Sequence, residues 1–210
     1  MAISLPSGST VLFQGDSITD ADRLSDPDNP LGRGYARMAA DLVRAARPDS
    51  GIIFINRGVA GDRVQDLRRR WRRDALALKP GLVSVMVGVN DTWRCYGSGD
   101  PAPRRAYEDD YRAMLTQIHD ELGAQIILIE PFLIPVTDEQ WSWREDLDPR
   151  IQTVRRLAEE FDAALLAADG LLNQAARNAG GAAHIVLDGV HPTPLGHELL
   201  ARAWAELVTD

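Results

Sequence analysis

Short apolar runs alternate with longer amphipathic segments along the chain, and no other feature of the sequence constrains the fold as strongly. The runs are rich in Val and Ile and only four to six residues long, and several are apolar on both faces. Strands of a parallel sheet covered by helices on both sides have this composition. The predicted strands are residues 10–13, 51–55, 82–87, 125–129 and 184–187.

The segments between the runs have the spacing of apolar residues that an amphipathic helix requires. The last segment has a clear start signal, because Thr193 suits the N-cap and Pro194 the first helical position. The repeats predict an α/β fold, a doubly wound three-layer α/β/α sandwich with a central five-stranded, mainly parallel sheet. No internal repeat or linker is found, which predicts one domain over residues 1–210. The predicted helices are 33–47, 62–78, 103–122, 147–168 and 194–208, and the long loops 92–102 and 131–146 are expected to carry function.

Charge and composition exclude several classes of partner. The net charge is −8 and the isoelectric point is near 5.0, so the chain lacks the basic surface that nucleic acid or an anionic membrane requires. No apolar run exceeds about six residues, which is too short to span a bilayer, and the first residues lack the pattern of a signal peptide. Cys95 is the only cysteine, which excludes an internal disulfide and a cysteine-based metal cluster. We expect a cytoplasmic protein with no nucleic-acid or membrane partner.

Residues with catalytic chemistry follow the predicted strands directly. In an open parallel sheet, ligands bind beyond the carboxyl ends of the strands, so these residues are expected to meet at one edge. They comprise a serine, a glycine-bearing turn, an asparagine and an Asp-x-x-His unit: Ser17, Gly58, Asn90, Asp188 and His191. A serine hydrolase needs a nucleophile, oxyanion donors, a base and a residue that orients the base.

The Asp-x-x-His unit carries much of this argument, although each residue also has a structural alternative. Of four histidines, only His191 has an aspartate three residues before it, and a tight turn could bring the Asp188 carboxylate to one ring nitrogen. Alternatively, Asp188 caps a turn and His191 lies on the surface. Ser17 could likewise cap the next helix, Gly58 could provide a positive-φ turn, and Asn90 could act as a side-chain cap. Agreement among four strand ends favours the catalytic interpretation.

Taken together, the segments at these strand ends are similar to the four blocks of a known family, the SGNH hydrolases or GDSL-type esterases. The blocks stand in the family's order and span residues 11–197, and Ile18 occupies the place of the name-giving leucine. They are Gly15-Asp16-Ser17-Ile18, Gly58 within its turn, Gly88-Val89-Asn90-Asp91 and Asp188-Gly189-Val190-His191-Pro192. More finely, the chain resembles the intracellular acetylxylan-esterase-like carbohydrate esterases, through Gly32-Arg33-Gly34-Tyr35, Asn90-Asp91-Thr92-Trp93-Arg94 and Glu130-Pro131-Phe132.

The resemblance implies a flavodoxin-like fold and a serine esterase that works through an acyl-enzyme. It implies Ser17 as nucleophile, His191 as base and Asp188 as the residue that orients the imidazole. The oxyanion would be bound by the backbone N–H groups of Ser17 and Gly58 and by the side-chain amide of Asn90. No metal and no organic cofactor is implied. The substrate would be a small-molecule ester with a short acyl group, such as an acetylated xylo-oligosaccharide.

Aromatic residues in the two long loops give a further indication of the substrate. Trp93, Tyr96, Trp141 and Trp143 could stack on sugar rings, and we assign them to the substrate site together with Asp16 beside the serine. In the alternative interpretation, the rings pack at a subunit interface or close the loops onto the domain. Asp16 could equally be a turn residue or a residue that supports the site.

Other functions are less well supported by the residues. The aspartates near Asp20 lack the glycine of a calcium-binding EF-hand loop, and no phosphate-binding glycine motif follows the first strand. The arginine-rich run 68–73 is flanked by carboxylates, which favours a solvated helix face or a contact in a homo-oligomer. The alternatives that remain are a thioesterase or lysophospholipase of the same fold, and a catalytically inactive carbohydrate-binding module.

Overall fold

The computed structural model describes residues 3–97, 99 and 103–209. Its central sheet has five parallel strands in the order β3-β2-β4-β5-β6, so the chain starts near the middle of the sheet and winds outward in both directions. A second, two-stranded parallel sheet joins the first and last strands. The strands are β1 Ile3–Ser4, β2 Thr10–Gly15, β3 Ile53–Asn56, β4 Leu82–Met86, β5 Gln125–Ile129, β6 Ala164–Leu166 and β7 Val208–Thr209.

Helices connect the strands and cover both faces of the sheet. The α-helices are α1 Ser17–Asp20, α2 Tyr35–Ala46, α3 Val64–Asp74, α4 Val89–Gly97, α5 Arg104–Gln117, α6 Asp138–Ser142, α7 Arg144–Glu160, α8 Ala168–Asn178 and α9 Pro194–Glu206. As predicted, the side chain of Thr193 caps α9 by accepting a hydrogen bond from Gly196 N, and Pro194 opens the helix. None of the helices in the described part of the chain is both long and apolar enough to cross a membrane.

Side chains on the two faces of the sheet pack into two separate apolar clusters. Along β2, Phe13 packs in the cluster on the side of α2 and α9, where its ring lies 5.0 Å from that of Trp204. Leu12, the preceding residue, packs in the opposite cluster with Leu67 and Trp71 of α3. Successive residues of a strand point to opposite faces, so residues 11–13 of β2 are all apolar because both faces of the strand are buried. The predicted three-layer sandwich with a five-stranded parallel sheet is confirmed.

The prediction of a fifth strand at residues 184–187 is wrong. These residues continue a 3₁₀ turn, and their only strand-like pairing is an isolated antiparallel bridge between Val186 and Pro192. The fifth strand of the sheet is β6, which lies inside the predicted helix 147–168 and is followed by α8. Ile185 and Val186 are buried in the cluster that contains α8 and α9, so the run is apolar because of burial without sheet pairing. A short apolar run does not by itself distinguish these two cases.

The two predicted long loops are also shorter in the structure. Residues 92–97 belong to α4, which starts directly after β4, so the first loop begins only after Gly97. Residues 98 and 100–102 of that prediction lie outside the described residues. The second loop, 131–146, contains α6 and the first turn of α7. The aromatic residues assigned to these loops therefore lie on or between helices.

Candidate active site

Ser17 is the first residue of α1, directly after β2. The side chain of Asp16 caps this short helix by accepting a hydrogen bond from Ile18 N at 3.0 Å. Ile18 and Thr19 are buried, while Ser17 itself is partly exposed. A side chain at Gly15 would collide with Thr19 Oγ1 and Met86 O, so a glycine is needed for the helix to fold back against the strand. The serine hydroxyl is thus held at the end of a buried strand and opens to the surface.

The predicted serine, histidine and aspartate lie in one hydrogen-bonded chain. Ser17 Oγ is 2.9 Å from His191 Nε2, and His191 Nδ1 is 2.7 Å from Asp188 Oδ2. Asp188 Oδ1 accepts hydrogen bonds from the backbone N–H groups of Val190 and His191, at 3.0 and 2.8 Å. Partial burial acts to raise the pKa of Asp188, but the N–H group and ring of His191 oppose it, and the pKa lies below its usual value. An ionised Asp188 favours a proton on Nδ1, which leaves Nε2 free to accept one from Ser17.

The turn that carries Asp188 and His191 is fastened to the segment before α7. Gln140 Nε2, on α6, donates to Asp188 O at 2.7 Å, and Ile134 N donates to Gly189 O at 2.9 Å. Gly189 has φ +97°, and a Cβ there would lie 2.5–2.9 Å from the Gln140 amide, so the turn requires glycine. Because the sequence prediction treated residues 131–146 as a loop, this support from α6 was missed.

The glycine turn after β3 departs from the prediction. The N–H group of Gly58 donates to Asn56 Oδ1 at 2.8 Å, and a Cβ on Gly58 would lie 2.7 Å from the backbone carbon of Thr19. The structure therefore contradicts the assignment of Gly58 as a donor to the site, because its N–H group is already bonded and packed away from the cavity. Gly61, three residues later, lines the cavity beside Ser17, and its N–H group has no partner among the described residues.

Helix α4 holds in place the segment between β3 and α3, residues 57–63, which we call the Gly61 loop. Asn90 Nδ2 donates to Asp62 O at 3.1 Å, and Arg94 Nη2 donates to Gly61 O at 2.8 Å. Asp91 Oδ2 accepts a hydrogen bond from Val64 N at 3.3 Å. A side-chain amide has two N–H bonds, so the contact with Asp62 fixes the orientation of the Asn90 amide and leaves its second N–H for the cavity.

Arg70 joins the Gly61 loop to the strand that leads to Ser17. Its Nε donates to Asp62 Oδ2 at 2.7 Å, and its guanidinium also donates to Arg57 O and Gly15 O, at 2.8 and 3.3 Å. The side chain is only 11% exposed, so the assignment of the whole run 68–73 to a solvated face or subunit contact is wrong for this residue. The helical period could have indicated it, because Arg70 lies one turn after Leu67 and one turn before Asp74, which are both buried.

The Ser17–His191 pair opens into a cavity of about 670 Å³, the α4 cavity, which extends toward α4. Its lining comprises Ser17, Ala60, Gly61, Asn90, Trp93, Arg94, Gly97 and His191. A second cavity of about 480 Å³, the α9 cavity, shares Ser17, Ala60 and His191 with the first and extends toward α2 and the start of α9. The Ser17–His191 pair thus lies where two cavities meet.

Of the five residues assigned to the substrate site, Trp93 lines the α4 cavity and the other four line neither cavity. The ring of Tyr96 stacks on Trp143 at 5.8 Å, and Tyr96 Oη donates to Ser142 O. Trp143 is buried, and Trp141 is 62% exposed. The stacked pair joins α4 to the α6–α7 segment, as in the alternative interpretation that these rings close the loops onto the domain. Asp16 is buried and caps α1, so its assignment to substrate binding is contradicted.

Two buried carboxyl groups lie behind the site. Burial raises the pKa of Asp16 to about 7, although the bond from Ile18 N and the nearby His191 act to lower it. Burial likewise raises the pKa of Asp91 to about 7, against the lowering effect of Arg150. Each carboxyl has one oxygen without a hydrogen-bond partner in the described part of the chain, Asp16 Oδ2 and Asp91 Oδ1. Within the described residues, no group of three or more His, Cys, Asp or Glu side chains is arranged to bind a metal.

The sequence model of the GDSL-like lipase/acylhydrolase family matches residues 13–199 of the chain. The chain belongs to this family. It is 36% identical over 210 residues to an acetylxylan esterase from Geobacillus stearothermophilus. The alignment covers 96% of this chain and 94% of that one. From these similarities, the protein is a carboxylic-ester hydrolase.

Solved structures of family members have the same fold. The crystal structure of Axe2, an acetylxylan esterase from Geobacillus stearothermophilus, superimposes with a TM-score of 0.89 at 33% identity, over 98% of this chain and 96% of that one. A protein from Parabacteroides merdae, described as a GDSL-like lipase, gives a TM-score of 0.92 at 33% identity, over 99% of this chain and 98% of that one. The predicted resemblance to SGNH hydrolases, and to their acetylxylan-esterase-like branch, is confirmed.

Proposed function

We propose that Ser17, His191 and Asp188 form the catalytic triad of this esterase. Ser17 Oγ attacks the ester carbonyl carbon while His191 Nε2 takes its proton, and Asp188 stabilises the resulting imidazolium. The tetrahedral intermediate collapses, and His191 returns the proton to the departing alkoxide. Water then attacks the acyl-enzyme by the same steps and releases the carboxylic acid and free Ser17. The observation that carries this proposal is the chain of contacts at 2.9 and 2.7 Å, which ends in an open cavity.

We infer that the oxyanion is bound by the N–H groups of Ser17 and Gly61 and by the side-chain amide of Asn90. Ser17 N belongs to the first turn of α1, whose N–H groups have no partner within the helix. Gly61 replaces Gly58 in this role because its N–H group has no partner within the residues that the structure describes and because it lines the α4 cavity. Donors fixed before the reaction stabilise the developing charge without having to reorganise. Arg94 and Asn90 supply that fixation by holding the carbonyl groups of the Gly61 loop.

For the substrate, we propose acetyl esters of xylo-oligosaccharides. The similarity to acetylxylan esterases over almost the full length of both chains supports this class. The α4 cavity also supports a short acyl group, because Arg94 and Asn90 lie in its wall and a long alkyl chain would have to remove these polar groups from water. The single domain, the cytoplasmic location and the homo-oligomeric state stay predictions from the sequence.

A series of p-nitrophenyl esters from C2 to C10, together with acetylated xylobiose, acyl-CoA and lysophospholipid, tests this proposal. We expect the highest kcat/KM at C2 and release of acetate from acetylated xylobiose. Ser17→Ala should lower kcat by about 10³–10⁶ while the thermal unfolding curve stays the same. An optimum at C8 or longer would favour a thioesterase or lysophospholipase, and wild-type turnover by Ser17→Ala would contradict the triad.

A further inference from the structure

The α9 cavity has a polar wall residue that the proposed reaction does not use. This residue is His197, on the first turns of α9. Its Nδ1 accepts a hydrogen bond from Tyr35 N, the first residue of α2, at 3.1 Å. Gly34 makes this contact possible, because a Cβ there would lie 2.7 Å from His197 Cε1. The ring is therefore locked between α2 and α9 with one nitrogen already bonded.

The proton on this imidazole is consequently on Nε2. A ring nitrogen that accepts a hydrogen bond carries no proton, and a neutral imidazole has its proton on the other nitrogen. Burial lowers the pKa of His197 to about 4, with a further lowering from His191 that outweighs the effect of Asp22, so the ring is neutral at physiological pH. Nε2–H has no partner among the described residues. The cavity wall thus contains a fixed, uncharged hydrogen-bond donor.

The position of this cavity relative to His191 indicates which part of an ester enters it. The departing alkoxide receives its proton from His191 Nε2, so the alcohol must lie beside that nitrogen. Leu187, Pro192 and His197, from the segment that carries His191, line the α9 cavity, whereas the oxyanion donors Gly61 and Asn90 line the α4 cavity. The alcohol side of the ester therefore faces the α9 cavity.

The lining of the α9 cavity suits a sugar. Met38 and Pro192 offer apolar contact for the C–H face of a pyranose ring. His197 Nε2–H is a donor, and the exposed Asp22 at the edge is an acceptor, so hydroxyl groups, which both donate and accept, can be satisfied. An alkyl group in the same place would leave the His197 donor buried without a partner, which disfavours its binding. Such a site selects a hydroxylated alcohol over an apolar one.

We propose that the α9 cavity binds the sugar that bears the acetyl group, and that His197 Nε2–H donates a hydrogen bond to an oxygen of that sugar. This inference rests on the proposed function, since it assigns the alcohol part of the same ester. It places sugar recognition on the side of α2 and α9, while the aromatic residues first assigned to the substrate lie toward α4 and α6.

Two substitutions of His197 separate the donor from the structural role of the ring. In His197→Asn, the side-chain oxygen can still accept from Tyr35 N, but nothing replaces Nε2–H. In His197→Gln, an amide N–H reaches the position of Nε2. The readout is the ratio of kcat/KM for acetylated xylobiose to kcat/KM for p-nitrophenyl acetate, whose alcohol has no sugar hydroxyls. We expect His197→Asn to lower this ratio about tenfold, mainly through KM, and His197→Gln to restore most of it.

A second pair of variants tests the cavity without changing His197. Met38→Trp fills the α9 cavity from α2 and should lower the same ratio at least tenfold, whereas Leu42→Trp, one turn later on the exposed surface, should not. A parallel fall of both activities in His197→Asn, or an unchanged ratio in Met38→Trp, would overturn the inference. A wild-type enzyme that cleaves p-nitrophenyl acetate but not acetylated xylobiose would instead contradict the proposed sugar substrate.

Discussion

The two halves of the site are built in different ways. The serine half, Ser17 and the Gly61 loop, follows the ends of β2 and β3 and is held by Arg70 and α4. The histidine half, residues 187–193, follows no strand, and its Asp188 and His191 side chains are about 40% exposed. There, one carboxylate both closes the turn and orients the ring. A catalytic geometry can thus be fixed by the sheet on one side and by a local turn on the other.

Replacing Asp188 tests whether its carboxylate has both functions in the histidine half. Asp188→Asn can keep the bonds from Val190 N and His191 N, but its amide N–H favours the ring proton on Nε2, where it blocks the base. We expect kcat to fall up to about 10⁴-fold, the magnitude known for the equivalent serine-protease change. Steady-state kinetics measures this loss.

Asp188→Ala is the companion variant, because it removes the turn contacts as well as the orienting charge. Circular dichroism melting should show a lower Tm for Asp188→Ala than for Asp188→Asn. If Asp188→Asn kept more than a tenth of wild-type kcat, the carboxylate would only cap the turn.

In the serine half, the largest effect is expected from Arg70. Arg70→Met removes a guanidinium that is paired with Asp62 in a largely buried position and leaves that carboxylate without its partner. Breaking a buried pair from one side costs about 3–5 kcal/mol in the free energy of unfolding. Arg72→Met, on the exposed face of the same helix, should change it by less than about 0.5 kcal/mol. Urea unfolding of both variants measures the contrast, and equal effects would refute the difference between these two arginines.

The proposed role of Asn90 in the serine half is to stabilise the transition state. Asn90→Ala removes the proposed oxyanion donor and the bond to Asp62 O. We expect kcat to fall by about 10²–10³, equivalent to about 2.7–4 kcal/mol, with KM little changed. A variant that kept kcat but raised KM would make Asn90 a substrate-binding residue instead.

At any one pH step, the smallest expected effect is a difference in how the surroundings of the two halves respond to pH. The pKa of Asp91 near 7, raised from 3.8, means that the folded protein binds more protons than the unfolded one between pH 4 and 7. The free energy of unfolding therefore falls as pH rises through that range, by up to about 1.4 kcal/mol per pH unit. His197 has the opposite effect. Its pKa near 4 lies below the ordinary histidine value of 6.5, so its contribution to the free energy of unfolding is lost as pH falls from about 6.5 to 4.

Denaturant unfolding from pH 4 to 8 distinguishes these two contributions. Relative to wild type, Asp91→Asn should gain stability as pH rises from 4 to 7, whereas His197→Asn should gain it as pH falls from 6.5 to 4. Parallel curves for either variant and wild type would show that the replaced group does not titrate in this way.

The sequence predicts the serine half better than the histidine half, for physical reasons. β2, β4 and β5 are buried on both faces, and their apolar runs identify them directly. The run 184–187 is equally apolar but packs as a turn, so His191 was expected at a strand end that does not exist. Gly58 and Gly61 lie in the same short turn, and the sequence does not show that the Asn56 side chain accepts the N–H group of Gly58. Arginine is a residue type usually found at the surface. The burial of Arg70 depends on its bonds to Asp62 and Gly15, which the fold brings together.

The contacts of Arg70 also have a consequence for motion. One guanidinium bonds both to Gly15 O, two residues before Ser17, and to Asp62, the neighbour of Gly61. We therefore expect Ser17 and Gly61 to move together. We expect the movements that admit substrate and release acetate to occur in the other half of the site, in the Asp188–His191 turn. That turn can shift without disturbing the donors that meet the next substrate.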